Sequence, residues 1–199
     1  MALSAEFVTY KELRKSISDW LNRSDISDSL LKDFVSLAER KIFRQLRCPL
    51  NEKKVDYTIK TTMVNSLTIP DDLLEVKDLI IDGYPYIFKP YDEWIVNKQK
   101  CTYTRLLGVW LFSPDMPAGK QASVNYYFDL SGMNNETETN KVLQTAPDLY
   151  LYASLVQAES FLINDDRIAL WKEAFDTALG ELNGGMNHMD YKGNLLVME

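Results

Sequence analysis

The chain has 199 residues, of which 46% are hydrophobic and 26% charged, and its formal net charge at pH 7 is −7. This length suits one domain with a sizeable core. No apolar run approaches the roughly 20 residues that a membrane-spanning helix needs, so we expect no membrane association. The N-terminus lacks the pattern of a signal peptide, and two isolated cysteines, Cys48 and Cys101, are expected to be reduced thiols in a cytosolic protein.

The charge is unevenly distributed along the chain. Residues 1–50 carry nine Lys and Arg against seven Asp and Glu, whereas residues 129–199 carry four against twelve. This acidic balance argues against a general nucleic-acid-binding protein, which should present a basic face. It would suit subunits that meet through unlike surfaces, because complementary charge guides assembly.

Two helices are predicted at the N-terminus. Thr9 and Glu12 have the spacing of a capping box and open the first helix, whose apolar face includes Leu13 and Ile17. Ser27 or Asp28 caps a second, longer helix that ends before Pro49. The last turns of this helix carry Arg40, Lys41, Arg44 and Arg47, where cations complement the helix dipole. This basic cluster is either a solvated helix end or a surface for an acidic neighbour or for passing DNA.

In the middle of the chain, apolar residues recur at every second position, which is the spacing of β-strands and not of helices. Strands are predicted at residues 55–59, 67–69, 74–81, 86–88, 102–107, 109–112 and 122–128, with a short helix within residues 91–100. Asp82-Gly83 is a turn dipeptide, and residues 86–88 are the expected hairpin partner of residues 74–81. The pattern predicts a small antiparallel β unit inserted between two pairs of helices.

A helical hairpin is predicted near the C-terminus, after a polar loop at residues 130–141 that is long enough to be mobile or to touch a partner. Thr145 is the expected N-cap of its first helix, with Pro147 in the first turn. Residues 164–166 are expected to end this first helix and to cap a second helix that follows. Gly184-Gly185 is expected to end that helix, since glycine tolerates the left-handed conformation.

The last residues are predicted to form an extended arm. Residues 184–199 show no helical period, yet they contain seven apolar side chains: Met186, Met189, Tyr191, Leu195, Leu196, Val197 and Met198. So many apolar residues favour docking into a groove of another chain. The alternative is an arm that folds back on its own domain.

The predicted fold class is therefore α+β. We expect a helical bundle of two N-terminal and two C-terminal helices, with an inserted small antiparallel β unit and an extended C-terminal tail. Residues 1–50 form the N-terminal helix pair, 51–130 the β insertion, 131–183 the C-terminal hairpin and 184–199 the arm, within a single structural domain overall.

Residues with catalytic chemistry are scarce. The single histidine, His188, lies in the predicted arm, which argues against Ser-His, Cys-His and multi-histidine metal sites. Phosphate-binding and nucleophile motifs are absent, and the pairs Asp71-Asp72 and Asp165-Asp166 occupy turn and capping positions. The aromatic residues at positions 126–128, 150 and 152 lack the interleaved Lys and Arg of a base-stacking surface. We expect a structural protein without enzyme activity, cofactor or metal.

Several segments, in order, resemble the head-to-tail adaptor (head completion or connector) proteins of tailed bacteriophages. They are YKELRKSISDWLNRSDI (10–26), LLKDFVSLAERKIFRQLR (30–47), IPDDLLEVKDLIIDG (69–83), SVNYYFDL (123–130) and APDLYLYASLVQAESFLINDDRIALWKEAF (146–175). Together they cover most of residues 9–182. The most specific piece is the Pro-Asp-Leu-Tyr-Leu-Tyr segment with Asp-Asp-Arg downstream.

The resemblance implies a virion protein in the neck between portal and tail, made in the host cytoplasm. Related adaptors form a ring, dodecameric like the portal, which binds the portal protein and offers a platform to tail or nozzle proteins. Genomic DNA passes through such a ring, and an acidic lumen would not hold it tightly. Extended C-terminal segments reach onto the portal, so the seven apolar residues of the arm are the expected portal-binding site.

Other functions remain open at this point. One is a different neck or tail-completion protein with a similar bundle. Another is a nucleic-acid-binding helical module that uses the basic cluster of residues 40–47, whose DNA affinity would fall steeply with salt. An enzyme would need a metal or carboxylate site that the sequence does not reveal.

Overall fold

A computed structural model describes residues 9–23, 25–59, 66–113, 119–162 and 165–191 of the chain. The fold class is α+β, as the sequence predicts. The chain divides into two compact units. The helical unit comprises Met1–Asn51 and Asp129–Glu199, and the β unit comprises Glu52–Phe128.

Six helices and eight strands are found among the described residues. In chain order they are α1 (Tyr10–Leu21), α2 (Asp28–Gln45), β1 (Glu52–Thr58), β2 (Ser66–Thr68), β3 (Leu73–Ile81), β4 (Tyr84–Pro85), β5 (Ile87–Phe88), α3 (Tyr91–Val96), β6 (Thr102–Leu106), β7 (Val109–Ser113), β8 (Gln121–Phe128), α4 (Lys141–Thr145), α5 (Pro147–Leu162) and α6 (Asp165–Tyr191).

The two N-terminal helices begin where the sequence predicts. The side chain of Thr9 accepts a hydrogen bond from the Glu12 amide, and the Glu12 carboxylate accepts one from the Thr9 amide, which completes the capping box. The Ser27 hydroxyl accepts the Leu30 amide at the start of α2. These caps satisfy amides that have no partner within their own helix.

α5 is the central helix of the helical unit. It packs against α1, α2, α4 and α6, and buried residues occur on all its sides: Leu149, Tyr150, Leu151, Ala153, Ser154, Leu155, Val156, Ala158 and Glu159. A helix that is mostly apolar all round is one that neighbours surround. On α6 the side chains of Trp171 and Phe175 are buried.

The start of α5 differs from the prediction. Thr145 is the last residue of the short helix α4 and does not cap α5. The cap in this region is Asn140, whose side chain accepts the Leu143 amide at 2.8 Å. Asn is at least as good an N-cap as Thr, so an additional turn of helix forms before Pro147.

The end of α6 also differs, because Gly184 and Gly185 do not end the helix. It continues to Tyr191, and neither glycine has the positive φ of a helix-terminating residue. A helical glycine costs only about 1 kcal/mol relative to alanine. Just before the pair, the Asn183 side chain accepts the Arg47 amide at 2.8 Å, which fixes this part of α6 on the end of α2. Residues 184–191 are therefore helical and not the extended arm predicted, and residues 192–199 lie outside the described residues.

The β unit contains two four-stranded sheets, with strand orders β1-β8-β3-β4 and β2-β7-β6-β5. All described strand pairs are antiparallel as predicted except β5 and β6, which are parallel. The hairpin partner of β3 is β4, whereas the residues predicted for that role include β5, which pairs in the other sheet. The reason is the two-residue turn at Asp82-Gly83, which brings Tyr84 and Pro85 next to Ile81 and Ile80.

Inward-facing residues of both sheets form the core of the β unit. They include Leu79, Val124 and Tyr126 from the first sheet and Tyr103, Trp110 and Phe112 from the second. Along β8 the residues Ala122, Val124 and Tyr126 are buried and their neighbours are more exposed, which is the period-two pattern from which this strand is predicted.

Candidate functional site

The C-terminal residues predicted to bind a portal are placed only in part. Met186, Met189 and Tyr191 lie on the last turns of α6. Leu195, Leu196, Val197 and Met198 lie outside the described residues. The portal-binding role of these seven residues stays a prediction.

The basic cluster at the end of α2 is partly used within the helical unit. The Arg47 guanidinium donates hydrogen bonds to the carbonyl oxygens of Phe43 at 3.3 Å and Leu46 at 2.7 Å. The Lys41 ammonium lies 4.4 Å from the ring centroid of Phe175, and burial lowers the pKa of Lys41. Two of the four cations therefore stabilise the helix end and its packing on α6.

The other two cations, Arg40 and Arg44, face solvent. They are exposed and make no ion pair with a described residue. Leu37 lies one turn before Arg40 and two turns before Arg44 on the same side of α2, and it is also exposed. We call Leu37, Arg40 and Arg44 the basic face of α2.

A groove between α5 and α6 carries the opposite charge. It has a volume of about 410 Å³, and its lining includes the carboxylates of Asp148, Glu173 and Glu181 and the apolar side chains of Tyr152 and Leu170. No Lys or Arg is among the described residues that line it. We call this feature the acidic groove.

Glu39 of α2 is a carboxyl group inside the helical unit, with 1% of its surface exposed. Its Oε2 accepts the Gly132 amide at 2.9 Å, and the Tyr150 hydroxyl lies 3.5 Å from its Oε1. Burial raises the pKa of Glu39 to about 7, because the loss of water penalises the charged form more than the Gly132 and Met133 amides stabilise it. The nearby Asp129 carboxylate contributes to this rise, because two negative charges repel each other.

The loop that the sequence leaves free to move or to touch a partner is bound to its own unit. Besides its contact with Glu39, its backbone carbonyls at Glu138 and Glu136 accept hydrogen bonds from the amides of Tyr10 at 2.9 Å and Lys11 at 3.1 Å. The Lys11 ammonium also pairs with the Glu136 carboxylate at 2.9 Å. The loop thereby satisfies free amides in the first turn of α1.

Residues 84–96 of the β unit expose a run of apolar side chains. They are Tyr84, Ile87, Phe88, Tyr91, Ile95 and Val96, the last of them 86% exposed. Clustered exposed apolar residues are typical of partner-binding surfaces. Ile87 and Phe88 form β5 at the edge of its sheet, where backbone groups are available to a further strand. We call residues 84–96 the apolar segment.

The tip of the β6–β7 hairpin is unusual in its sequence. Leu107 and Gly108 have φ angles of 48° and 80°, and the β3–β4 tip has the same geometry at Asp82 and Gly83, with φ angles of 52° and 84°. This turn favours Asn or Asp at its first position, because a larger side chain is strained at positive φ. Leu107 is nevertheless 94% exposed. An exposed apolar residue in a strained conformation is a candidate contact residue.

Asp72, Tyr126 and Tyr150 have structural roles. The Asp72 carboxylate accepts hydrogen bonds from the Lys53 ammonium at 2.7 Å and from the Tyr126 hydroxyl at 2.9 Å. Burial alone would raise the pKa of Asp72, but these hydrogen bonds lower it below its usual value. The rings of Tyr126 and Tyr150 are buried and are not available to stack on bases.

Within the described part of the chain, no group of three or more His, Cys, Asp and Glu residues could hold a metal ion. No described helix is both long enough and apolar enough to span a membrane. The thiols of Cys48 and Cys101 are not in a disulfide.

Sequence reasoning missed the acidic groove, Leu107 and the apolar segment as surfaces. The acidic excess of residues 129–199 signals negative charge but not where it collects. The dipeptide Leu107-Gly108 between two strands was a usable signal, since Asn-Gly or Asp-Gly is the expected turn there. Only the packing of the helices shows that Arg40 and Arg44 face solvent whereas Lys41 and Arg47 make contacts within the helical unit.

Comparison with known families identifies the family of this chain. The family model described as SU10 adaptor protein matches residues 8–195, and no curated protein matches the chain. The chain therefore belongs to the SU10 adaptor protein family, a family of bacteriophage structural adaptors that is not known as an enzyme family. The adaptor character that the resemblance implies is confirmed at this level.

Proposed function

We propose that the protein is a head-to-tail adaptor in the virion neck, whose copies form a ring beneath the portal and provide the attachment platform for tail or nozzle proteins. The observation that carries this proposal is the family match, which covers residues 8–195. In this role the ring is dodecameric, its lumen lets genomic DNA pass, and no catalysis takes place.

The helical unit is the ring-forming part in this proposal. α1, α2, α5 and α6 pack as one bundle, which the burial of α5 on all sides supports. Neighbouring bundles meet through heterologous contacts, in which one face of each subunit meets a different face of the next.

The C-terminal residues bind the portal in this proposal. Leu195, Leu196, Val197 and Met198 supply an apolar cluster at the end of the chain, which gains most by burial on a partner. Met186, Met189 and Tyr191 extend the site along the end of α6.

The β unit is the platform for the tail or nozzle protein. The exposed apolar segment and the exposed Leu107 support this assignment, because both would lose water-exposed apolar surface on binding. Val109–Ser113 and Gln121–Phe128 are central strands of the two sheets and hold the platform rigid.

The main test is mass photometry of the purified protein, alone and mixed with the portal ring from the same genome. We expect a portal-bound complex of fixed stoichiometry. Leu195→Ser with Leu196→Ser should abolish it, whereas Lys192→Ser with Asn194→Ser, in the same segment, should not. No association at any concentration or salt would refute the portal assignment and favour another neck or tail-completion protein.

The platform has its own test. Leu107→Asn should weaken binding of the tail or nozzle protein to the preformed adaptor ring, measured by surface plasmon resonance. Asp82→Asn, at the equivalent position of the other hairpin, is the matched control and should leave this binding unchanged. Equal affinities for Leu107→Asn and wild type would remove Leu107 from the platform.

A further inference from the structure

Two exposed surfaces of the helical unit carry opposite charges that have no partner in the described structure. Arg40 and Arg44 on the basic face of α2 make no ion pair with a described residue, and neither do Asp148, Glu173 and Glu181 of the acidic groove. Solvated charges are common, so this observation alone identifies no site.

The apolar residues of the two surfaces also match. Leu37 is 51% exposed and precedes Arg40 by three residues, and Leu170 is 56% exposed and precedes Glu173 by three residues. Residues with this spacing are neighbours on one side of a helix. Ala174, a small residue that also lines the groove, allows another helix to approach closely. Each surface therefore contains an exposed leucine next to charged side chains that have no described partner. These charges are positive on the basic face of α2 and negative in the acidic groove.

The two surfaces lie on opposite sides of α6. α2 contacts α6 through Lys41, which lies over the Phe175 ring, and through Arg47, whose amide donates to Asn183. At about 100° per residue, the mean direction of Phe175 and Asn183 around α6 is roughly opposite to the mean direction of the α6 residues that line the acidic groove. A subunit thus has a basic face on one flank and an acidic groove on the other. Unlike surfaces on opposite flanks produce head-to-tail contacts, which close into a ring or continue as a filament.

We propose that the acidic groove of each subunit receives the basic face of α2 from a second copy of this chain. The proposal rests on the ring of the proposed function and names the contact that builds it. Charge complementarity selects the occupant. The acidic groove needs a basic partner, and every copy of this chain carries one in the basic face of α2. In the contact, Arg40 and Arg44 pair with the groove carboxylates, and Leu37 is buried beside Leu170.

The test exchanges charges between the two surfaces. One variant combines Arg40→Glu with Arg44→Glu, and the other combines Glu173→Lys with Glu181→Lys. Each variant alone should lose the ring that wild type forms with the portal, because like charges then face each other across every contact. An equimolar mixture of the two should assemble, since each kind of contact is complementary again. All four substitutions in one chain should restore the ring as well.

Matched controls separate this contact from general charge effects. Lys15→Glu with Lys100→Glu changes the net charge as much as the first variant, and Asp19→Lys with Asp92→Lys changes it as much as the second. All four control positions are exposed and lie outside both surfaces. The controls should assemble as wild type does. Circular dichroism should show that every variant is folded, because only exposed side chains are replaced.

The outcomes distinguish the contact from the proposed function. A wild-type chain that never assembles with the portal would overturn both. If wild type assembles and either charge-reversed variant does so equally well, the proposed function stands and the contact is wrong. The contact is also wrong if both charge-reversed variants lose the ring and neither the mixture nor the fourfold variant recovers it. A loss of DNA binding, with assembly intact, in the Arg40→Glu and Arg44→Glu variant would assign the basic face to DNA instead.

Discussion

Glu39→Gln is expected to remove a pH dependence of stability from the helical unit. The carboxyl group is almost fully buried, accepts the Gly132 amide at 2.9 Å and lies 3.5 Å from the Tyr150 hydroxyl. Glutamine has nearly the same shape, and its side-chain oxygen can still accept the Gly132 amide. It carries no charge at any pH, so it has no ionised form to remove from water.

The sign of the effect follows from the two pKa values. In the folded protein the pKa of Glu39 is about 7, above its usual value of 4.5. Between these values the folded state holds a proton that the unfolded state has released, so the free energy of unfolding falls as the pH rises. The contribution of Glu39 is fully present below pH 4.5 and is lost as the pH passes through 7. The difference between the two pKa values corresponds to about 3 kcal/mol.

Urea denaturation of wild type and Glu39→Gln at several pH values between 4 and 8 measures this contribution. The quantity of interest is the difference between the two free energies of unfolding, because other titrating groups then cancel. We expect wild type to lose about 3 kcal/mol relative to the variant over this range. Glu138→Gln is the control: hydrogen bonds from the Asn135 and Asn134 amides lower the pKa of Glu138, so its difference should be flat above pH 5.

A flat difference for Glu39→Gln would refute the reasoning. It would mean that the Gly132 and Met133 amides stabilise the Glu39 carboxylate enough to offset its burial. A difference that rises with pH would go further and place the folded pKa of Glu39 below 4.5, the usual value.

Three further substitutions test local structure. Leu107→Asn should raise the free energy of unfolding by about 1 kcal/mol, because Asn tolerates the φ of 48° better than Leu, and the urea midpoint should rise accordingly. Gly180→Ala should raise it by about 0.5–1 kcal/mol, measured as an increase in Tm, since the glycine is helical and a Cβ there meets nothing within 4 Å. Tyr126→Phe should lower it by about 1–2 kcal/mol in urea denaturation, because the hydroxyl that donates to Asp72 at 2.9 Å is lost.

Two of these substitutions have a contrasting control. Gly83→Ala should lower stability where Gly180→Ala raises it, because Gly83 has a φ of 84°. Leu107→Val should lower stability, since a β-branched residue is strained further at positive φ. A destabilised Leu107→Asn would show that the leucine makes a stabilising contact within the chain. An unchanged Tyr126→Phe would mean that the hydrogen bond to Asp72 contributes nothing net.

The elements that are predicted correctly from the sequence are those whose signals lie within a few residues of each other. The capping box of Thr9 and Glu12 was predicted and is present. Of the two predicted caps of α2, Ser27 and Asp28, Ser27 is the one observed, and the short helix predicted within residues 91–100 is Tyr91–Val96. The predictions failed where a nearby residue supplied an alternative cap or where an expected helix-ending residue was tolerated within the helix. Asn140 caps the segment where Thr145 was expected to do so, and Gly184-Gly185 is tolerated inside a helix.

The candidate surfaces were predicted less completely than the fold. The apolar residues at the end of the chain remain a prediction for portal binding. The four cations of residues 40–47 were predicted as one cluster, but the structure uses Arg47 and Lys41 internally and leaves Arg40 and Arg44 exposed. Nothing in the sequence indicates which members of such a cluster face a neighbouring helix.

The amino-acid sequence was enough to identify most of the helices and strands and the resemblance to phage adaptors, because caps, apolar periods and motif order are properties of residues close together. Three features emerge only from the packing of the chain: Glu39 is buried against Gly132, Leu107 is exposed at a strained turn, and charges of opposite sign lie on two sides of α6. These features depend on which faces of distant segments meet. Burial, and with it the pKa and the free charge of a side chain, follows from that packing.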